Sequence, residues 1–323
     1  MTAVKVLSID GGGIKGIIPA TVLAYIEEQT GKPISELFDL IAGTSTGGII
    51  ALGLTRPGSD GKPMYTAASG IDLYVKEGPV IFAQRFPRTL PFWQFFEERY
   101  PSGPLENRLD TYFGDSRLAD ALTDVIVTSY DIGARKPHFF KTRHARTQAD
   151  ANYLMRDAAW ATSAAPTYFE PAKIDSNADP AYLALIDGGV FAINPAMCAF
   201  AEVRDVDPTA TDVLLVSLGT GENTDPLSYD EVKGWGEASW ARPILDVVFD
   251  GISDTVDFQL RQLLPGVDGL ARYYRFQTRL EGASDAMDDA SPKNLEALQQ
   301  LGNELVASEK TTLDALCAQL TAA

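Results

Sequence analysis

Two hydrophobic periods alternate along this chain, and the switches between them mark its elements. Val4-Lys5-Val6-Leu7-Ser8-Ile9-Asp10 is a short β-branched run that predicts a strand, and Gly11-Gly12-Gly13 after it predicts a tight turn. Ile18, Val22, Leu23 and Ile26 then fall at helical spacing and predict a helix from Ile17 to Thr30, ended by Gly31. Phe38-Asp39-Leu40-Ile41-Ala42 is a second short apolar run. It enters the turn Gly43-Thr44-Ser45-Thr46-Gly47-Gly48, and an apolar helix from Ile49 to Leu54 follows. Strand, glycine-rich turn and helix thus occur twice by Leu54, the pattern of an α/β fold with a parallel sheet.

The later runs repeat the theme. Asp124 to Ser129 and Val213 to Leu218 read as buried strands, and Ala181 to Ile186 as a weaker one ending at Asp187-Gly188-Gly189. Helices are expected over Asp150 to Thr162, Pro243 to Leu264 and Pro292 to Leu320. Arg56 to Pro63 is a polar loop and Ser228 to Ala238 an irregular stretch. Neither is long enough to mark a boundary, so one domain over residues 1–323 is expected.

Composition narrows the function classes. Apolar residues make up 45% of the 323 and charged residues 22%, enough for a large core without disulfides. Cys198 and Cys317 form no metal or redox motif and read as small core residues. Acids outnumber bases 44 to 27, for a net charge of -17. That argues against a nucleic-acid polymer as partner and against purely electrostatic adsorption to anionic membranes. No stretch is long and apolar enough to span a bilayer. No basic region or cleavage site precedes the Val4–Ile9 run, so a cytoplasmic location is expected, with peripheral contact at the membrane left open.

The chemistry sits in the turns. Gly43-Thr44-Ser45-Thr46-Gly47 fits G-x-S-x-G, in which a serine at a sharp strand-to-helix turn exposes its hydroxyl above the sheet. The flanking glycines let strand and helix pass close together, and the helix N-terminus favours developing negative charge. The turn Asp10-Gly11-Gly12-Gly13-Ile14-Lys15-Gly16 can present successive backbone N–H groups to an anion, which in a hydrolase is the tetrahedral oxyanion. Gly11, Gly13 and Gly16 also meet the G-x-G-x-x-G spacing of a dinucleotide fingerprint, a weak match that leaves Ser45 without a purpose. Lys15 has two readings: a donor toward the oxyanion or a lipid phosphate, or a solvated residue on the first helical turn.

A Ser–His–Asp triad would need a histidine base. His138 and His144 both lie in the basic stretch from Lys136 to His144, where a surface role is the simpler expectation. Asp187, at a strand end before two glycines, is the best-placed alternative. A carboxylate can take the serine proton if it lies within reach and is shielded from water.

Taken together, these segments resemble the patatin-like phospholipases. The resemblance rests on Asp10–Gly16, Gly43–Gly47 and Asp187–Gly189 in that order, with further likeness at Ala161–Phe169, Val216–Gly221 and Met287–Ser291. It implies a three-layer α/β/α fold with a central, mostly parallel sheet and a serine nucleophile elbow. It also implies a Ser45–Asp187 dyad without histidine, metal or cofactor, with Gly11, Gly12 and Gly13 as oxyanion donors. The activity implied is that of a lipid acyl hydrolase of phospholipase A or lysophospholipase type. Hydrolysis of other esters on the same scaffold, a phospholipase effector gated by a cyclic nucleotide, and a non-enzymatic lipid- or nucleotide-binding module are the alternatives. The aromatic, mildly basic stretch from Pro79 to Phe96 either caps the site, touches a bilayer or packs in the core. The apolar residues Ile244, Val247, Val248, Ile252 and Val256 either line an acyl channel or join the core, the core being the simpler expectation.

Overall fold

The computed structural model describes residues 3–83, 100–176, 181–210, 212–223, 226–240, 243–267 and 269–322. Among them, eight strands form one sheet: β1 (Val4–Ile9), β2 (Leu40–Thr44), β3 (Asp124–Asp131), β4 (Lys136–Lys141), β5 (Ala172–Asp175), β6 (Tyr182–Asp187), β7 (Val213–Leu218) and β8 (Tyr273–Phe276). The middle of the sheet runs β3-β2-β1-β7-β8, all parallel. β4, β5 and β6 join antiparallel at the β3 side. The fold is therefore α/β with a mostly parallel central sheet.

The strands are apolar on both faces because both faces are covered. Leu7, Ile9 and Ile41 belong to one core cluster, with residues of the Ile17–Thr30, Thr46–Thr55 and Pro292–Ser308 helices. Val6, Leu40 and Ala42 belong to a second, with residues of the Ala196–Val206 and Pro243–Leu263 helices. Alternate residues of β1 thus point into different cores, which gives the three layers.

Several expected elements shift. The helix foreseen from Asp150 runs Met155–Ser163, after a short 3-10 turn at Ala149–Ala151. The long C-terminal helix is two, Pro292–Ser308 and Lys310–Thr321, separated at Glu309. Both halves pack on the Ile17–Thr30 helix, which a straight rod of roughly 40 Å would overrun. Within Pro243–Leu263 the core expectation fails: Val256 and Leu260 are buried, but Ile244, Val247 and Val248 are exposed. Cys317 is buried as expected, whereas Cys198 is only partly so.

The register around β3 positions the site. β3 pairs β2 from Asp124 to Thr128 and β6 from Ser129 to Asp131, while β4 pairs Ile126 to Asp131. A strand has two edges, so β2 and β6 meet end to end along one edge and β4 occupies the other. Thr44 lies opposite Thr128, and Asp187 lies opposite Ser129. Adjacent residues of one strand therefore hold the ends of the two strands that carry Ser45 and Asp187.

Candidate active site

Ser45 follows the last residue of β2 and precedes the Thr46–Thr55 helix. Its backbone sits at φ 54, ψ -123, a sparsely populated region that costs an L-residue on the order of 1–3 kcal/mol. Close packing holds it there. A Cβ on Gly47 would stand 2.1 Å from the Ile9 carbonyl oxygen, and one on Gly43 would stand 2.2 Å from that of Gly47. The elbow is thus pressed against the end of β1, and only glycine fits.

Asp187 ends β6 and is 5% exposed. Burial pushes its carboxyl up to about 7, while hydrogen bonds from the Ser45 hydroxyl and the Gly189 N–H pull the other way. The Gly189 amide donates to Oδ1 at 2.7 Å. A carboxylate that is short of water and holds a pKa near neutrality is suited to accept and return a proton.

One segment of chain supports both groups. The Ser45 N–H donates to Thr162 Oγ1 at 2.8 Å, and the Asp187 N–H donates to the Ala164 carbonyl at 3.0 Å. Thr44 Oγ1 is shared between Thr128 Oγ1 and the Ala192 carbonyl, at 2.6 Å each. Ser129 Oγ donates to the Ile186 carbonyl at 2.7 Å. Thr44, Thr128, Ser129 and Thr162 are all fully buried, so these bonds work in a low dielectric. None of these four was identified from the sequence. The polar pair Thr128-Ser129 directly after the apolar run Val125-Ile126-Val127 was the available signal.

The glycine turn does not act as a unit. The Gly11 N–H donates to the Ile193 carbonyl at 2.9 Å, so that donor is occupied. Among the described residues, the Gly12 and Gly13 amides have no acceptor within the protein. Both glycines line a cavity of about 90 Å³ with Ser45 and Asp187. Its other walls are mainly apolar, including Ile14, Ile49, Leu73 and Phe169. Of the stretch from Pro79 to Phe96, Ile81 and Phe82 line this cavity; residues 84–96, with Trp93 among them, lie outside the described residues. Phe249 also lines it, the contribution of the Pro243–Leu263 helix. Lys15 does not. It lines a separate polar cleft on the other side of the turn, where its Nζ donates to the Asp285 carbonyl at 3.1 Å.

Neither histidine lines the cavity that holds Ser45 and Asp187. His144 is exposed, as expected. His138 is half-buried instead of superficial, because β4 packs its ring on Phe140 with centroids 4.6 Å apart. Burial pushes its pKa down to about 4. It pairs with Ser129 across the edge of β3 opposite Asp187.

Residues 7–200 match the family model described as patatin-like phospholipase. Patatin-like protein 2 of Arabidopsis thaliana is 33% identical, over 97% of this chain and 86% of its own. Patatin-T5 of Solanum tuberosum is 33% identical over 94% and 83%. A third relative, the second from Solanum tuberosum, is also 33% identical, covers 94% and 86% and bears the name probable inactive patatin-3-Kuras 1. Among solved structures, VipD from Legionella pneumophila aligns over 95% of this chain and 67% of its own, with 11% identity and a TM-score of 0.43.

Proposed function

This chain belongs to the patatin-like phospholipase family, and from that premise we propose that it hydrolyses carboxylic esters of membrane lipids through a Ser45–Asp187 dyad. The observation that carries the reading is the hydrogen-bonded pair of a strained serine and a buried carboxylate at the head of an apolar cavity. One relative bears the name probable inactive patatin-3-Kuras 1, so turnover is a matter of this chain's own geometry.

Asp187 takes the Ser45 proton as Oγ attacks the ester carbonyl carbon. The carbonyl oxygen becomes the oxyanion and accepts from the Gly12 and Gly13 amides. The Gly11 amide, held by Ile193, instead fixes the shape of the turn. The C–O bond breaks, and the leaving lysolipid oxygen takes the proton from Asp187. Water then attacks the acyl-enzyme, giving its proton to Asp187 and onward to Ser45 as the fatty acid departs. The apolar cavity receives the acyl chain, and no step calls for a metal or cofactor.

Fatty-acid release from mixed phospholipid vesicles, with calcium chelated, tests this directly. Release by the wild type and none by Ser45→Ala is expected. Equal release by both would remove Ser45 from the mechanism. Release of fatty acid only from short water-soluble esters would favour a general esterase on the same scaffold.

A further inference from the structure

The Asp10–Gly16 turn separates two spaces. On one side is the apolar cavity with Ser45. On the other is a cleft of about 170 Å³, and Gly12, Ile193, Phe249 and Met287 line both. An ester held at Ser45 with its oxyanion on Gly12 would have a place for each half. The acyl chain enters the cavity, and the alcohol side of the lipid faces the cleft.

The cleft has a different chemistry. Glu222, Asp246, Asp250, Asp254 and Asp285 stand exposed around its rim. Asp246, Asp250 and Asp254 occupy successive turns of the Pro243–Leu263 helix, a spacing that places them on one face. That helix turns its carboxylates toward the cleft while Val247, Val248 and Phe258 are exposed, the reverse of an ordinary surface helix. Half-buried Lys15 also lines the cleft. Burial pushes its ammonium pKa down, and Asp246, Asp285 and Asp250 oppose the shift.

A second observation asks for a ligand. Asp10 also lines the cleft and is 3% exposed. Its Oδ2 accepts from Arg275 at 2.7 Å, but its Oδ1 is buried without a partner. An acceptor so placed lacks a donor. Among the described residues, no group of three or more His, Cys, Asp or Glu side chains could hold a metal ion. Spread along a cleft of about 170 Å³, the carboxylates suit an organic ammonium.

We propose that this cleft binds the headgroup of an amine-bearing phospholipid, with the phosphate beside Lys15 and the ammonium among the Asp246, Asp250 and Asp285 carboxylates. The proposal rests on the reading of Ser45 as the nucleophile of a lipid hydrolase, since that reading directs the alcohol side into the cleft. A primary ammonium would also supply the N–H that Asp10 Oδ1 lacks.

The test is binding without turnover. Ser45→Ala protein is titrated by calorimetry with short-chain phosphatidylethanolamine, phosphatidylcholine and phosphatidylglycerol, each below its micelle concentration so that surface charge plays no part. Roughly tenfold tighter binding of phosphatidylethanolamine than of phosphatidylglycerol is expected, about one decade of Kd, with phosphatidylcholine between them because its quaternary ammonium has no N–H for Asp10. Adding Asp246→Asn and Asp250→Asn should bring the ratio to within about threefold, since the attraction is electrostatic. Equal affinity for the three headgroups overturns the proposal, and so does a preference that survives both substitutions. Free phosphoethanolamine binding as tightly as the lipid would overturn it in favour of a soluble ligand. If wild-type protein releases no fatty acid while the amine preference holds, the hydrolase reading fails and the headgroup site stands.

Discussion

The Ser45 turn is built from its own neighbourhood in sequence, whereas the Asp187 turn is built by strands far from it. Ser45 is aimed by the end of β2, the start of the next helix and two glycines within two residues. Asp187 reaches its place through pairing with Ser129 and a bond from its amide to Ala164. The first arrangement stores backbone strain and the second stores desolvation of a charge. A local device of this kind leaves a motif, and a device made of register leaves almost none.

Activity gives the largest contrast. Ser45→Ala and Asp187→Asn should each lower kcat by roughly 10⁴-fold or more, as for other members of nucleophile–base units. A nearly normal rate for Asp187→Asn, measured on a short-chain ester, would break the pairing of the two turns into one site.

Stability should separate them. The Asp187 pKa is raised to about 7 from an ordinary 3.8, so the folded protein binds this proton more tightly than the unfolded chain. Stability contributed by the protonated group is therefore present at low pH and lost as pH rises through this window. At pH 8 the buried charge costs at most about 4 kcal/mol, at 1.36 kcal/mol for each pKa unit. Asp187→Asn should consequently raise the urea midpoint at pH 8, with the gain vanishing near pH 4. Unaltered midpoints at both pH values would mean the carboxylate is better solvated than its surroundings suggest. The same group predicts that kcat/KM climbs with pH around neutrality, because the base must be ionised. A flat profile there would count against Asp187 as the base.

The local turn should respond to bulk, not to charge. Gly47→Ala forces a Cβ to 2.1 Å from the Ile9 carbonyl oxygen and 2.8 Å from that of Asp10. Backbone atoms cannot swing aside, so a loss of about 3 kcal/mol or failure to fold is expected. A thermal melt of the purified variant would decide. Thr128→Val probes the seam between the two turns by removing the 2.6 Å bond to Thr44. Its cost should be smaller, about 1–2 kcal/mol with Thr44 keeping Ala192 as a partner. Little effect on kcat would show that β-sheet register alone holds the seam.

Legibility followed the same division. Strand, turn and helix around Ser45 were readable because β-branched runs, glycines and helical spacing are local signals. β4, β5 and β8 were not singled out, since short strands of mixed polarity carry no period of their own. The Pro243–Leu263 helix was recognised as a helix but not in its orientation. Its apolar spacing predicts a buried face, while the protein leaves much of that face exposed and directs carboxylates at a cleft. Periodicity identifies a face, but which side of a helix meets the rest of the molecule depends on what lies beside it.

Residue order alone was enough for the α/β alternation, the elbow at Ser45, the candidate carboxylate and the family, because each depends on residues close together or on motifs in a set order. Tertiary structure decided the rest. It placed Thr128 and Ser129 so that two strand ends meet, and it tied up the Gly11 amide while leaving those of Gly12 and Gly13 without partners among the described residues. It also directed Lys15 into an acidic cleft instead of the apolar cavity. Those outcomes depend on which edges and faces approach one another in space, and the order of residues along the chain does not state that distance.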